Sequence, residues 1–184
     1  MKIDSITKTF DEKTVFKDFS LDIMKGIRTA ILGPSGRGKS TLFSLMLGLS
    51  KPDSGSITGG GRLSALFQED RLLENMSVMN NLLLVTDDRD RIGKLLEALD
   101  LDGEERNRVR NLSGGMKRRV ALLRALLTSY DTLLLDEPFG PLDEDMKRRC
   151  ARLILEEIGN RTLVVITHQE DDIELLDADE VVRL

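Results

Sequence analysis

Nine consecutive residues, Gly33-Pro34-Ser35-Gly36-Arg37-Gly38-Lys39-Ser40-Thr41, have the types and the spacing to hold a triphosphate. They fit G-x-x-x-x-G-K-[ST], a loop whose backbone N–H groups cradle phosphates while a lysine and a hydroxyl complete the grip. Gly36 and Gly38 let the chain turn inward without a Cβ penalty, so successive N–H groups face one anion. A helix that starts here adds its positive end at the same place. Lys39 is placed to reach the β- and γ-phosphates, and the Ser40 hydroxyl to ligate Mg²⁺. A second group is acidic, in Leu133-Leu-Leu-Asp136-Glu137-Pro138. P-loop chemistry needs a carboxylate at the end of a buried strand to hold the Mg²⁺ shell, and Asp136 fits. Glu137, one residue beyond, is suited to orienting and polarising an attacking water.

Two further features could touch phosphate. Leu112-Ser113-Gly114-Gly115-Met116 places an N-capping serine and bare N–H groups at a helix start. His168, the one histidine, ends the apolar run Thr162–Thr167, on the edge where open parallel sheets hold ligands. Two phosphate sites and one P-loop nucleotide are reconciled if two chains pair head to tail.

The elements that must position these residues follow from the pattern. Arg28–Leu32 reads as a short buried strand before the glycine loop, and Thr41–Leu47 as a helix after it. Lys2–Phe10 alternates as a strand, Asp11-Glu12-Lys13 reads as a turn, and Val15-Phe16 and Phe19–Ile23 as further short strands. They predict a small antiparallel layer. Ser50–Gly55 and Gly59–Gly61 are dense in turn residues, and Arg62–Phe67 is a strand ending in Gln68. Helical spacing runs through Val78–Val85 and Ile92–Leu99, with a charged loop or frayed helix over Asp102–Asn111. A helix over Gly114–Leu127, a strand over Thr132–Asp136 and an amphipathic helix over Asp143–Ile158 come next. The strand Thr162–Thr167, a short helix near Asp172–Leu176 and a strand near Glu180–Leu184 close the chain. Strands alternating with helices imply an α/β fold, a mostly parallel sheet flanked by helices. One domain over 1–184 is expected, with its core in 1–74 and 112–184 and a helical insertion over 75–111.

Composition bounds the function class. A chain of 184 residues with 40% apolar and 32% charged side chains is an ordinary globular protein. Its formal charge of −5 gives no basic footprint, which argues against a nucleic-acid partner. No apolar run approaches the roughly 20 residues of a membrane span, and no signal peptide opens the chain. The single Cys150 cannot form an internal disulfide, which suits a reducing cytosol. With Met146, Leu153 and Ile154 on one helical face, it reads as a core thiol.

The order of these motifs resembles the ATP-binding cassette (ABC) nucleotide-binding domains over nearly the whole chain. The resemblance makes Gly33–Thr41 the Walker A loop, Gln68 the Q-loop and Leu112–Met116 the signature. It makes Leu133–Asp136 Walker B, Glu137 the catalytic carboxylate, Leu142-Asp143 the D-loop and His168 the switch histidine. Phe10 resembles the aromatic that stacks on adenine, with Val15 packing against the nucleoside. In this family two domains sandwich two ATP molecules, each Walker A facing the other chain's signature, and transmembrane subunits dock at the helical insertion. The resemblance therefore implies ATP and Mg²⁺ as ligands, with Ser40, Gln68 and Asp136 around the metal and Glu137, His168 and Gln68 in catalysis. Ser113, Gly114 and Gly115 would bind the other chain's nucleotide. The implied partners are a transmembrane permease subunit, a second copy or a paralogue, and a solute-binding protein of the same system. The implied place is cytoplasmic, peripheral on the inner face of the membrane. Phe67–Leu73 and Ser113–Lys117 look like the nitrate/sulfonate/taurine importer ATPases, and Leu72, Leu73 and Met76 would couple to the membrane partner. Met116, Pro141 and Gln169 depart from the usual family residues, and the short C-terminus argues against a regulatory domain there. A soluble ABC-type ATPase of nucleic-acid repair or translation is the alternative; a P-loop kinase or GTPase is disfavoured by Ser113–Gly115 and His168.

Overall fold

A computed structural model describes residues 1–11 and 13–184. Two sheets form the frame. Strands β1 (Lys2–Phe10), β2 (Lys13–Asp22) and β4 (Ser54–Thr58) make an antiparallel layer in the order β2-β1-β4. Strands β3 (Arg28–Leu32), β5 (Leu63–Leu66), β6 (Thr132–Asp136), β7 (Thr162–Thr167) and β8 (Glu180–Arg183) make a wholly parallel sheet in the order β5-β6-β7-β3-β8.

The parallel sheet is covered on both faces, which is why its central strands carry continuous apolar runs. Successive side chains point to opposite faces, and the two cores divide accordingly. Ile31, Leu134, Val164 and Ile166 pack with Leu42, Phe43, Leu45 and Met46 of helix α1 (Lys39–Met46) and with Ile3, Ile6 and Phe16 of the antiparallel layer. Ala30, Leu133, Leu135, Leu163 and Val165 face the larger core. That core is completed by α2 (Val78–Leu82), α3 (Arg89–Ala98), α4 (Gly114–Leu127) and α5 (Glu144–Ile158). A short α6 (Asp171–Leu175) precedes β8. Cys150 is fully buried in the larger core, as its helical face predicts, and burial pushes its thiol up to about 12.

The helices begin where side chains can take up the free N–H groups. Ser77, Asp88, Ser113 and Asp143 cap α2, α3, α4 and α5, accepting from the backbone N–H of Asn80, Arg91, Met116 and Met146 respectively.

Four sequence expectations are corrected. Ser54–Thr58 is a strand, although Ser54 and Gly55 read as turn residues; it pairs with β1 through its backbone and needs only Ile57 as an apolar anchor. Val15-Phe16 and Phe19–Ile23 belong to one strand, β2, interrupted by Asp18 at φ 51° where the register shifts. Lys13 opens that strand instead of ending a turn; the turn expected there also includes Glu12, which lies outside the described residues. The helix expected over Val78–Val85 ends at Leu82.

Candidate active site

Sheet order assembles the site. Gln68 follows β5, Asp136 ends β6, His168 follows β7, and Gly33 follows β3, so four adjacent parallel strands deliver them to one edge. The registers Asp136↔Ile166 and Leu32↔Thr167 bring the strand ends level. A cleft of about 380 Å³ on that edge is lined by Val15, Ser35, Gly36, Gly38, Lys39, Ser40, Thr41, Gln68, Asp136 and Glu137.

The loop has the predicted backbone. Gly36 and Gly38 sit at φ 81° and 93°, a region other residues enter only at a cost. A Cβ on Gly38 would come within 2.5 Å of Val15 Cγ1 and 3.0 Å of Phe16 Cζ, so that turn also needs the space. Lys39 is buried, and its ammonium donates to the carbonyls of Gly33 at 2.6 Å and Pro34 at 3.1 Å. Those carbonyls hold the charge inside the loop it is expected to serve.

Glu137 is the most constrained residue of the cleft. Its φ of 48° is left-handed, a state that costs a non-glycine residue about 1–3 kcal/mol and persists where surroundings impose it. The surroundings are specific. Its N–H donates to the Ile166 carbonyl at 2.8 Å, and its carbonyl accepts from Arg118 Nη2 at 2.7 Å. Its carboxylate lies 2.8 Å from His168 Nδ1 through Oε1 and 3.5 Å from Thr167 Oγ1 through Oε2. Asp136, beside it, is 5% exposed; burial first, then the Glu137 charge, pushes its carboxyl up to about 6.

The donor set suits Mg²⁺. The Ser40 hydroxyl, Gln68 amide and Asp136 carboxylate line the same cleft, all of them oxygen donors of the kind a hard divalent cation takes alongside phosphate. Burial raises the Asp136 carboxyl, and a cation beside it would favour its charged form.

Arg118 went unnoticed in the sequence. Its guanidinium is 2% exposed. Nε donates to the Pro138 carbonyl, Nη2 to those of Asp136 and Glu137, and Nη1 to that of Phe67 and to Asp70. One side chain of α4 thus fastens the segment around Gln68 to the segment around Glu137. The spacing could have revealed it, because Arg118 shares a helical face with the buried Ala121, Leu122 and Ala125. Asn81 was missed as well: buried on α2, it accepts from the Leu73 N–H and donates to the Leu73 and Ser77 carbonyls, fixing the loop ahead of that helix.

Ser113 and Gly115 lie elsewhere. They line a separate 250 Å³ cleft with Arg119, Pro141, Leu142, Asp143 and Met146. Gly114 opens α4 beside them. Phe10 is half exposed with Lys8 Nζ 5.1 Å from its ring centroid, and it is not among the residues lining the cleft that Val15 joins. Arg37 lines the neighbouring groove, with Lys13, Lys17 and Arg183.

Comparison with known proteins agrees with this geometry. The sequence profile described as ABC transporter matches residues 16–140. The chain belongs to the ABC transporter family. This cassette is 41% identical over 174 residues to the aliphatic sulfonates import ATP-binding protein SsuB 1 of Rhodococcus jostii, covering 89% of the chain and 70% of that protein. It is 36% identical over 203 residues to the sulfate/thiosulfate import ATP-binding protein CysA 2 of Rhizobium meliloti, covering 96% of the chain and 55% of that protein. The cassette thus spans little more than half the length of several curated relatives it matches. Its fold superposes on the dimeric structure of MJ0796, a bacterial ABC transporter cassette, with a TM-score of 0.86 at 26% identity, covering all of this chain and 93% of that one. A second structure, of the same cassette in a dimeric post-hydrolysis state bound to ADP and Pi, matches with a TM-score of 0.85 at 25% identity.

Proposed function

We propose that this chain is the ATP-binding and ATP-hydrolysing subunit of an ABC importer, powering solute passage through a separate transmembrane permease. The observation that carries the reading is the split site. Lys39, Glu137 and His168 meet at one sheet edge, while Ser113 and Gly115 lie in another cleft of the same chain. A complete site then needs two chains, a homodimer or a pair with a paralogue. Import is supported by the names of both relatives, and no helix of the described residues is long and apolar enough to cross a membrane. A peripheral place on the cytoplasmic face of the membrane follows from that role, as does a solute-binding protein in the same system.

In this mechanism the Lys39 ammonium leaves the Gly33 and Pro34 carbonyls for the β- and γ-phosphates. The N–H groups from Ser35 to Thr41 enclose the phosphates, with Val15 and Phe10 on the nucleoside side. Ser40, Gln68 and Asp136 would hold Mg²⁺, which would supply neutralisation of phosphate charge. Ser113, Gly114 and Gly115 of a second copy close over the γ-phosphate with their helix N-terminus. Glu137 then orients the water, and His168 moves from the Glu137 carboxylate to the developing charge on the phosphoryl group. The insertion over 75–111, with Leu72, Leu73 and Met76 ahead of it, is the face for the permease.

Glu137→Gln keeps the shape and removes the base. Hydrolysis should fall by about a hundredfold or more, and an ATP-bound dimer should accumulate on size-exclusion chromatography. A turnover rate equal to the parent's would overturn the assignment.

A further inference from the structure

Behind Glu137 lies a buried acid that the mechanism above does not use. Asp172, on α6, is 2% exposed. Its Oδ2 lies 2.5 Å from Thr167 Oγ1, and its Oδ1 is buried with no partner. No cation is within ion-pair distance of it among the described residues. Lys147 of α5 is drawn off to Glu144 at 2.8 Å and Gln169 at 3.4 Å. The remaining charged or titratable groups that bear on Asp172 are Glu137 and His168.

Thr167 joins this acid to the site. Its hydroxyl oxygen has three polar neighbours: the Gln169 N–H at 3.0 Å, Asp172 Oδ2 at 2.5 Å and Glu137 Oε2 at 3.5 Å. A hydroxyl carries one proton and two lone pairs. With Asp172 ionised, that single proton goes to Asp172, and a lone pair faces the Glu137 carboxylate. With a proton on Asp172, every neighbour is satisfied: Gln169 and Asp172 donate to Thr167, and Thr167 donates to Glu137. An unpartnered Oδ1 is also less costly on a neutral acid than on a buried anion.

Building on the ATPase reading above, we propose that Asp172 and Thr167 are positioning residues for Glu137. Asp172 donates its proton to Thr167 Oγ1, and the Thr167 hydroxyl holds Glu137 Oε2 while His168 holds Oε1. The Thr167 contact then keeps the carboxylate oriented when His168 leaves Oε1 for the phosphoryl group. Burial supports this state, raising the Asp172 carboxyl against the opposing pull of the Thr167 hydroxyl.

The test uses the full chain, with Thr167→Val, Thr167→Ser, Asp172→Asn and Asp172→Leu. Losing one hydrogen bond to a charged group corresponds to about ten- to a hundredfold in rate. Thr167→Val should lower kcat by that amount with KM for ATP unchanged, and Thr167→Ser should restore it. Asp172→Asn, whose amide N–H can donate as the neutral acid does, should rescue most of the turnover that Asp172→Leu loses. Asparagine failing as badly as leucine, or Thr167→Val matching the parent, would overturn the proposal. Glu137→Gln separates the two readings. If it leaves turnover intact, the ATPase assignment fails; if it abolishes turnover while Thr167→Val does not, only the present inference fails. Infrared spectroscopy reads Asp172 without turnover: a carboxylic-acid carbonyl band near neutral pH should be present in the parent and absent in Asp172→Asn. Its absence from the parent would also overturn the proposal.

Discussion

Arg118→Met removes the fastener of the site while keeping an unbranched side chain in its place. Two of the bonds that Arg118 makes are buried at both ends, those to the carbonyls of Pro138 at 3.0 Å and Asp136 at 2.7 Å. The bonds to Phe67, Glu137 and Asp70 are only partly buried, so water can replace some of what they lose. A buried acceptor left without a partner costs about 1–3 kcal/mol. The two buried carbonyls therefore set the loss at about 4 kcal/mol, within the range for breaking a buried charged network. The relief from no longer burying a charge does not cancel this, because the acceptors are main-chain groups that stay behind. In a chain of 184 residues, each kcal/mol moves the melting temperature by about 2–4 °C, so a fall of about 8–16 °C is expected. Urea unfolding and calorimetry of the nucleotide-free protein measure both quantities. A loss under about 1 kcal/mol would refute the idea that Arg118 holds these segments together. Arg118→Lys should recover less than half of the loss, because one ammonium cannot reach both segments as a planar fork does.

Other expectations follow from the same geometry. Asp136, raised from 3.8 to about 6, binds its proton more tightly folded than unfolded, so it costs stability as pH rises from about 4 to about 6 and fully above that. Asp136→Asn should accordingly stabilise the nucleotide-free chain by on the order of 2 kcal/mol at about pH 7.5 and by little near pH 4, as urea titrations at the two pH values would show. Lys39→Ala should weaken ATP binding by about ten- to a hundredfold, read by titration calorimetry. The Cys150 thiol, buried and pushed up to about 12, should resist a colorimetric thiol reagent in the folded protein and react once urea unfolds it.

What could be read from the sequence was whatever is written locally. The loop from Gly33 to Thr41 carries its own glycines, lysine and hydroxyls, and β6 and β7 have unbroken apolar interiors because both faces are covered. Glu137 and His168 could each be placed on the ligand edge in advance, since each follows a buried parallel strand. Strand β4 could not be seen, because its partner is β1 and its own sequence, Ser-Gly-Ser-Ile-Thr, has one apolar side chain. Arg118 stands between Lys117 and Arg119 in a run of three cations, and only the helical phase separates the buried one from its neighbours. Asp172 is likewise hidden in an acidic run, Glu170-Asp171-Asp172. Its partner, Thr167, ends a strand that reads as plain core. The left-handed backbone at Glu137 has no sequence signal, because Arg118 and Ile166 impose it from distant parts of the chain.

The order β5-β6-β7-β3-β8 has a consequence for how the protein is made. Strand β3, which carries the glycine loop, pairs only with β7 and β8, beginning with Arg28 opposite Leu163. Ribosomes deliver chain from the N-terminus, and pairings this distant in sequence form late. The nucleotide loop is therefore synthesised well before the strands that seat it. A nascent chain that has not yet released residues 162–167 has no strand beside β3 and no frame for the loop, and ATP becomes a ligand only after those residues have emerged.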